Sequence, residues 1–255
     1  MARKLPRTIG LTKKKLLFSS PILFALAILV VFANSPSPQT FSESKELLSK
    51  AWNRHNFTRD FYCQAPFTIT ESAITVIPSE YYTPRKPLAS NNKPNIRASR
   101  IEFEHIMPAH NFGKHLPCWK KGGRKACKED KTFNSMEADL YNLVPAIGEI
   151  NADRSNYKYA EAPRNVVIGG QYGNCPVHTD FKAKRFYPAD YSKGLIARTY
   201  LYMSNTYNIR LSDSELKLMQ AWDKMYPPND YEIQRNKIIE EIMFWQRINA
   251  LRKIF

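Results

Sequence analysis

The residues in this chain best suited to chemistry are an adjacent carboxylate and imidazole, Glu104 and His105. They lie in the run Arg100-Ile101-Glu102-Phe103-Glu104-His105-Ile106-Met107-Pro108-Ala109. Carboxylate oxygen suits a hard divalent cation such as Mg²⁺, which keeps several waters and takes one or two protein ligands. A neutral imidazole, with an unperturbed pKa of about 6.5, is well placed to take a proton near neutrality. The pair thus offers a metal ligand and a base side by side. Neighbours on a regular strand face opposite ways. The two groups therefore converge only if the strand ends, bulges or twists at this point, and Pro108 supplies an ending.

Two further segments carry reactive side chains. In Cys118-Trp119-Lys120-Lys121-Gly122-Gly123-Arg124-Lys125-Ala126-Cys127 the glycines allow close backbone approach to a ligand. Arg124 can grip a phosphate through two parallel hydrogen bonds. The glycine spacing is not that of a Walker A loop. In Met136-Glu137-Ala138-Asp139-Leu140-Tyr141-Asn142-Leu143-Val144-Pro145, Asn142 can offer an amide oxygen to a metal from a helix packed on the strand. A zinc site built from His105, His110, His115 and Cys118 is disfavoured, because five-residue spacings fit neither the common zinc patterns nor one helix face.

The elements that must hold these groups follow from periodicity and breakers. A helix is expected over residues 43–53, where Leu47, Leu48, Ala51 and Trp52 recur at helical spacing. A strand is expected over 68–77, a proline-rich loop over 78–94, and a strand over 100–106. Residues 110–130 read as a loop. Residues 135–147 read as a helix, with Glu137 and Asp139 at its positive end and a kink or stop before Pro145. Residues 151–192 read as irregular with short strands. Helices are expected over 194–205, 213–225 and 231–254, with Leu216, Met219, Trp222 and Met225 of the second as a core face. The sum is one α+β domain with its charged-residue chemistry between residues 97 and 154.

Of the 255 residues, 38 are Lys or Arg and 23 Asp or Glu, giving a formal charge of +15, and 43% are hydrophobic. This excludes a disordered polymer, a collagen-like chain and a polytopic membrane protein. The basic run Arg3, Lys4, Arg7, Lys13, Lys14, Lys15, the apolar stretch 16–33 and the polar, helix-breaking exit make residues 1–33 a secretory signal or an uncleaved signal anchor. Residues 34–44 read as a flexible leader. Removing the six basic residues of that signal leaves 32 basic and 23 acidic residues, an excess of nine on the exported part. A cationic exported domain has nucleic acid or an anionic surface as its natural partner. In an oxidising compartment the four cysteines read as structural bridges.

Taken in order, Glu-His-x-x-Pro-Ala, Cys-Trp-x-x-Gly-Gly-Arg-Lys-x-Cys and Asp-Leu-Tyr-Asn-Leu-x-Pro resemble the bacterial endonuclease I family. These are exported non-specific nucleases with a ββα-metal (His-Me finger) site. The likeness continues through residues 148–154, 170–173, 180–182, 194–200 and 222–227, and so covers roughly residues 45–235. It implies a mainly helical α+β catalytic domain, residues 45–255, around a small antiparallel sheet. It implies that His105 is the general base, that Glu104 and Asn142 ligate one divalent ion (Mg²⁺, with Ca²⁺ or Mn²⁺ as alternatives), and that Arg124 holds the cleaved phosphate. It further implies a periplasmic or secreted monomer without an organic cofactor. The substrate would be double-stranded DNA, with single strands and RNA left open. Because the base must be neutral, activity is expected to fall in acid. With the resemblance comes the pairing Cys118 with Cys127 and Cys63 with Cys175. The family usually has Phe-Tyr-Cys-Gly-Cys where this chain has Phe61-Tyr62-Cys63-Gln64-Ala65, and the C-terminal residues 244–250 also depart from its pattern. A nucleic-acid-binding envelope protein that does not cleave, such as one serving DNA uptake, is the alternative, but it leaves the intact Glu104, His105, Asn142 and Arg124 without a role.

Overall fold

Helix α1 (Phe41–Arg54) forms where Leu48, Ala51 and Trp52 share a buried face. Its free N-terminal amides are met by Thr40, whose hydroxyl accepts from the Glu43 amide at 3.2 Å. The helix therefore opens two residues before the expected position, inside the segment read as leader. The computed structural model describes residues 37–254, with side chains to residue 250. The signal or anchor expected over residues 1–33 lies outside the described residues. Residues Ser37–Trp245 form the compact unit described below.

The stretch expected as one strand over 68–77 is a hairpin, β1 (Phe67–Ile69) and β2 (Ile74–Val76), paired antiparallel. Thr70 makes the turn, its hydroxyl accepting from the Ala73 amide at 3.1 Å. After a loop come the single turn α2 (Ile96–Ser99) and β3 (Ile101–His105). The expected loop over 110–130 is instead helical in short pieces: α3 (Ala109–Gly113), α4 (Pro117–Gly122) and a 3₁₀ turn (Gly123–Cys127). Pro108 and Pro117 sit at the starts of these helices, where a missing N–H costs nothing, so they act as start signals. Gly123, at φ +68°, breaks α4 from the 3₁₀ turn.

The helix expected over 135–147 is replaced by three elements. Helix α5 (Lys131–Glu137) is capped by Asp130, a 3₁₀ turn spans Leu140–Asn142, and β4 (Leu143–Ile147) pairs antiparallel with β3. All five β4 residues are buried. A short continuous apolar run of this kind is the case in which periodicity cannot separate strand from helix. Pro145 faces Phe103 in a two-stranded ribbon, where both strands are edges and proline is tolerated. Helix α6 (Gly148–Arg154) follows without a linker. A Cβ on Gly148 would meet the Arg97 carbonyl of α2 at 2.8 Å, so only glycine lets α6 start this close to α2.

Residues 158–187 supply β5 (Lys158–Tyr159), β6 (Gln171–Asn174), β7 (His178–Asp180) and β8 (Arg185–Tyr187), with sheet order β5-β8-β7. Three helices close the chain: α7 (Asp190–Tyr207), α8 (Asp213–Met225) and α9 (Asp230–Ile254). On α8 the core face is narrower than expected. Met219 and Trp222 are buried, while Leu216 and Met225 are exposed. One core gathers Ile106, Phe112, Phe133, Val144, Ile147, Phe186, Ile196 and Trp222. A second joins Leu48 and Trp52 of α1 to Leu143 and to Ile238 and Ile239 of α9. The ribbon β3–β4 lies between them, and each fully buried aliphatic side chain on it contributes about 1.5–3 kcal/mol. Disulfides join Cys63 to Cys175 and Cys118 to Cys127.

Candidate active site

Strand β3 ends at His105, and its last residues line one cavity of about 650 Å³ together with Phe41, Arg124, Asn151 and Arg154. The ending removes the difficulty of neighbours facing opposite ways, because Glu104 and His105 both reach this cavity. Each is held by a different part of the fold.

Glu104 is buried. Its Oε1 accepts from the Tyr62 hydroxyl at 2.9 Å and from Arg154 Nη1 at 3.0 Å. That leaves Oε2 as the oxygen these partners do not take. Burial pushes the Glu104 carboxyl up to about 7, against the pull of the Arg154 guanidinium. Arg154 is only 1% exposed. Besides Glu104 it donates to the carbonyls of His105 and Ile106, so it ties α6 to the end of β3.

His105 is packed between Phe41 and Phe112, with ring centroids at 4.8 and 5.9 Å. Its Nε2 lies 2.8 Å from the Glu137 carbonyl oxygen. A carbonyl can only accept, so Nε2 carries the proton and Nδ1 presents a lone pair. Burial, with Arg124 and Arg154 adding to it, pushes the imidazole down to about 3. The direction of the expected acid dependence stays the same, but its position moves. The ring stays neutral far below its ordinary value of about 6.5, so any loss of activity from its charging moves to strongly acidic pH. Linkage gives the sign for stability: the unfolded ring takes up a proton between pH 6.5 and 3 that the folded ring refuses, so this group destabilises the fold as pH falls through that window. His105→Asn should therefore lose less stability than the native protein between pH 7 and 4, measured as urea midpoints. Parallel declines would contradict the buried, neutral ring.

Arg124 donates from Nε to a Glu137 carboxylate oxygen and lies over the Phe41 ring at 5.4 Å. Its terminal nitrogens are left for the cavity. Glu137 therefore orients the imidazole through its carbonyl and the arginine through its carboxylate. Sequence reasoning missed this role. It saw Glu137 as an acid near a helix start, whereas the residue closes α5.

Asn142 is not brought to the cavity. It is 0% exposed. Its Oδ1 accepts from the Met107 amide at 2.7 Å and its Nδ2 donates to the Met107 carbonyl at 3.0 Å. With both amide atoms bonded to backbone and its side chain absent from the cavity lining, it clamps the chain leaving β3. The amide in the cavity is Asn151, on α6. Its Nδ2 donates to Glu102 at 2.9 Å, which leaves Oδ1 outside that bond. The motif Gly148-Glu149-Ile150-Asn151 was the available signal.

Fold and site together define a class: an α+β domain whose antiparallel ribbon and following helix present a carboxylate, a neutral imidazole and an amide to an arginine-lined cavity. The chain belongs to the endonuclease I family, whose profile matches residues 39–246. It is 51% identical over 146 residues to a protein named Endonuclease-1 from Buchnera aphidicola subsp. Acyrthosiphon pisum (strain APS), covering 57% of each chain. The chain thus spans 57% of that relative's length. From Aeromonas hydrophila, an extracellular deoxyribonuclease is 39% identical over 89% of this chain and 94% of its own. A periplasmic deoxyribonuclease from the same organism is 41% identical over 80% and 82%.

Proposed function

We propose that this chain is an exported, divalent-metal-dependent endonuclease that hydrolyses DNA phosphodiester bonds without sequence preference. The observation that carries it is the imidazole fixed by the Glu137 carbonyl, with its free nitrogen facing a cavity that also holds Glu104, Asn151 and Arg124. The deoxyribonuclease relatives support the substrate class. Their extracellular and periplasmic names, together with two formed disulfides, support export through the N-terminal signal.

The donor set fits a hard cation. Among the described residues no three His, Cys, Asp or Glu side chains converge on a metal position. Glu104 Oε2 and Asn151 Oδ1 are one anionic and one neutral oxygen, as suits Mg²⁺, Mn²⁺ or Ca²⁺ with water and phosphate completing the shell. Such an ion would supply Lewis-acid stabilisation of negative charge on the departing O3′. In the reaction, His105 Nδ1 takes the proton of the attacking water. Arg124 donates to the non-bridging phosphate oxygens as charge builds there. Glu137 keeps both side chains aimed, and Arg154 holds the carboxylate of Glu104. Contacts limited to phosphate and sugar carry no base identity, so duplex DNA, single strands and RNA are all within chemical reach.

Digestion of supercoiled plasmid by the purified exported domain, with Mg²⁺ and with excess EDTA, tests the reading. Nicking with metal and none with EDTA is expected. Binding without metal-dependent nicking would overturn it.

The two asparagines separate by experiment. Asn151→Ala should weaken metal binding and cleavage while leaving the urea midpoint nearly unchanged. Asn142→Ala should leave two buried Met107 backbone groups unpaired, costing about 1–3 kcal/mol of stability for each. The reverse assignment would be shown by a stable Asn142→Ala protein that has lost its metal.

A further inference from the structure

The rim of the same cavity carries a charge cluster that the reaction above does not use. Glu102 Oε1 accepts from Arg97 Nε at 3.0 Å and from Arg100 Nε at 2.8 Å, and both arginines add a second bond through Nη2. One carboxylate thus holds two guanidinium groups, leaving one net positive charge. The carboxylate side chain is 16% exposed, while the arginine side chains are 42% and 49% exposed. The acid is therefore inside and the cations face outward, and all three residues line the cavity.

Stability alone does not account for this arrangement. Half-exposed ion pairs contribute little to stability, and a single arginine would satisfy Glu102. Two guanidiniums held edge-on by one acid repel each other, and an anion bridging them would relieve that repulsion. Each arginine spends Nε and Nη2 on Glu102, which leaves its remaining N–H donors, including those of Nη1, for a tetrahedral oxyanion. Glu102 also accepts from Asn151 Nδ2 at 2.9 Å, so the cluster is joined to the amide assigned as a metal donor.

We propose that Arg97 and Arg100, preorganised by Glu102, form a second phosphate subsite that grips a backbone phosphate flanking the one being cleaved. This rests on the nuclease reading, and it divides the cationic side chains into two sets. Arg124 serves the reacting phosphate, and the Arg97–Glu102–Arg100 cluster sets the register of the strand beside it. A substrate with one phosphate and no flank would not use the cluster.

The test compares the native protein with the double variant R97Q/R100Q. Binding of a labelled DNA duplex is measured by fluorescence anisotropy in EDTA across a salt series, and cleavage is measured on duplex DNA and on bis(p-nitrophenyl) phosphate. Binding should weaken about tenfold or more. The slope of log K against log salt should become shallower by about 0.9, one phosphate contact. The fall in kcat/KM should be at least tenfold larger on DNA than on the small diester. Should the double variant not fold, R97Q and R100Q singly carry the same comparison. The variant R97K/R100K should keep the native salt slope while binding less tightly. Equal losses on both substrates, or an unchanged affinity and slope, would overturn the subsite. If the native protein failed to cleave DNA at all, the nuclease reading would fall, while anisotropy in EDTA would still report the subsite.

Discussion

His105→Ala is expected to lower DNA cleavage by about 10²–10⁴-fold, the range a positioned general base supplies. Only one nitrogen of this ring is free to act, since Nε2 is committed to the Glu137 carbonyl. The other ionisable groups beside it have other tasks: Glu104 is the proposed metal donor, Glu102 is held by Arg97 and Arg100, and Arg124 is a cation. Binding of duplex in EDTA should be nearly unchanged, because the imidazole is neutral and buried and offers no charge to phosphate. Single-turnover cleavage and anisotropy on the same preparation separate the two effects. A variant that keeps more than a tenth of native cleavage would remove His105 from the role of base.

Arg154→Leu is expected to cost about 3–5 kcal/mol of stability, the usual result of removing one partner of a buried ion pair. The loss has two parts. Glu104 would be left in the interior without its counter-charge, and the carbonyls of His105 and Ile106 would lose their donor. The guanidinium also sits over the Tyr159 ring at 4.5 Å, so packing is lost with the charge. Adding Glu104→Gln should recover part of the deficit, because the stranded charge is then gone. Urea midpoints of the two single variants and the double variant measure this coupling. Strictly additive losses would show that Arg154 supports the strand end without answering Glu104.

What could be read from the sequence depended on how local the deciding interaction was. The helices α7, α8 and α9 were visible because their apolar spacing persists over many turns. The end of β3 was visible because Pro108 sits beside it. The resemblance carried the disulfide pairing and singled out Glu104, His105 and Arg124, which line one cavity. Nothing local in the sequence tells which of the two asparagines reaches the cavity. Asn142 is spent on Met107, 35 residues earlier, and that contact exists only once β4 pairs with β3. The expected helix over 135–147 hid this pairing, since Leu143-Val144-Pro145-Ala146-Ile147 carries no alternation to mark a half-exposed strand. Reading that run as β4 makes Gly148–Arg154 the helix after the ribbon and puts Asn151, in place of Asn142, on the cavity side. Glu137 escaped notice for the same reason: its carbonyl and carboxylate serve residues 32 and 13 positions away.

In the proposed function, Glu104 and Asn151 share one divalent ion in front of the free nitrogen of His105. Crystals of the domain soaked in Mn²⁺, with anomalous differences collected at the manganese edge, test it most directly. One strong peak contacted by Glu104 Oε2 and Asn151 Oδ1 is expected, with Asn142 still closed on Met107. A peak coordinated by Asn142, or a metal bound away from β3 and α6, would contradict it.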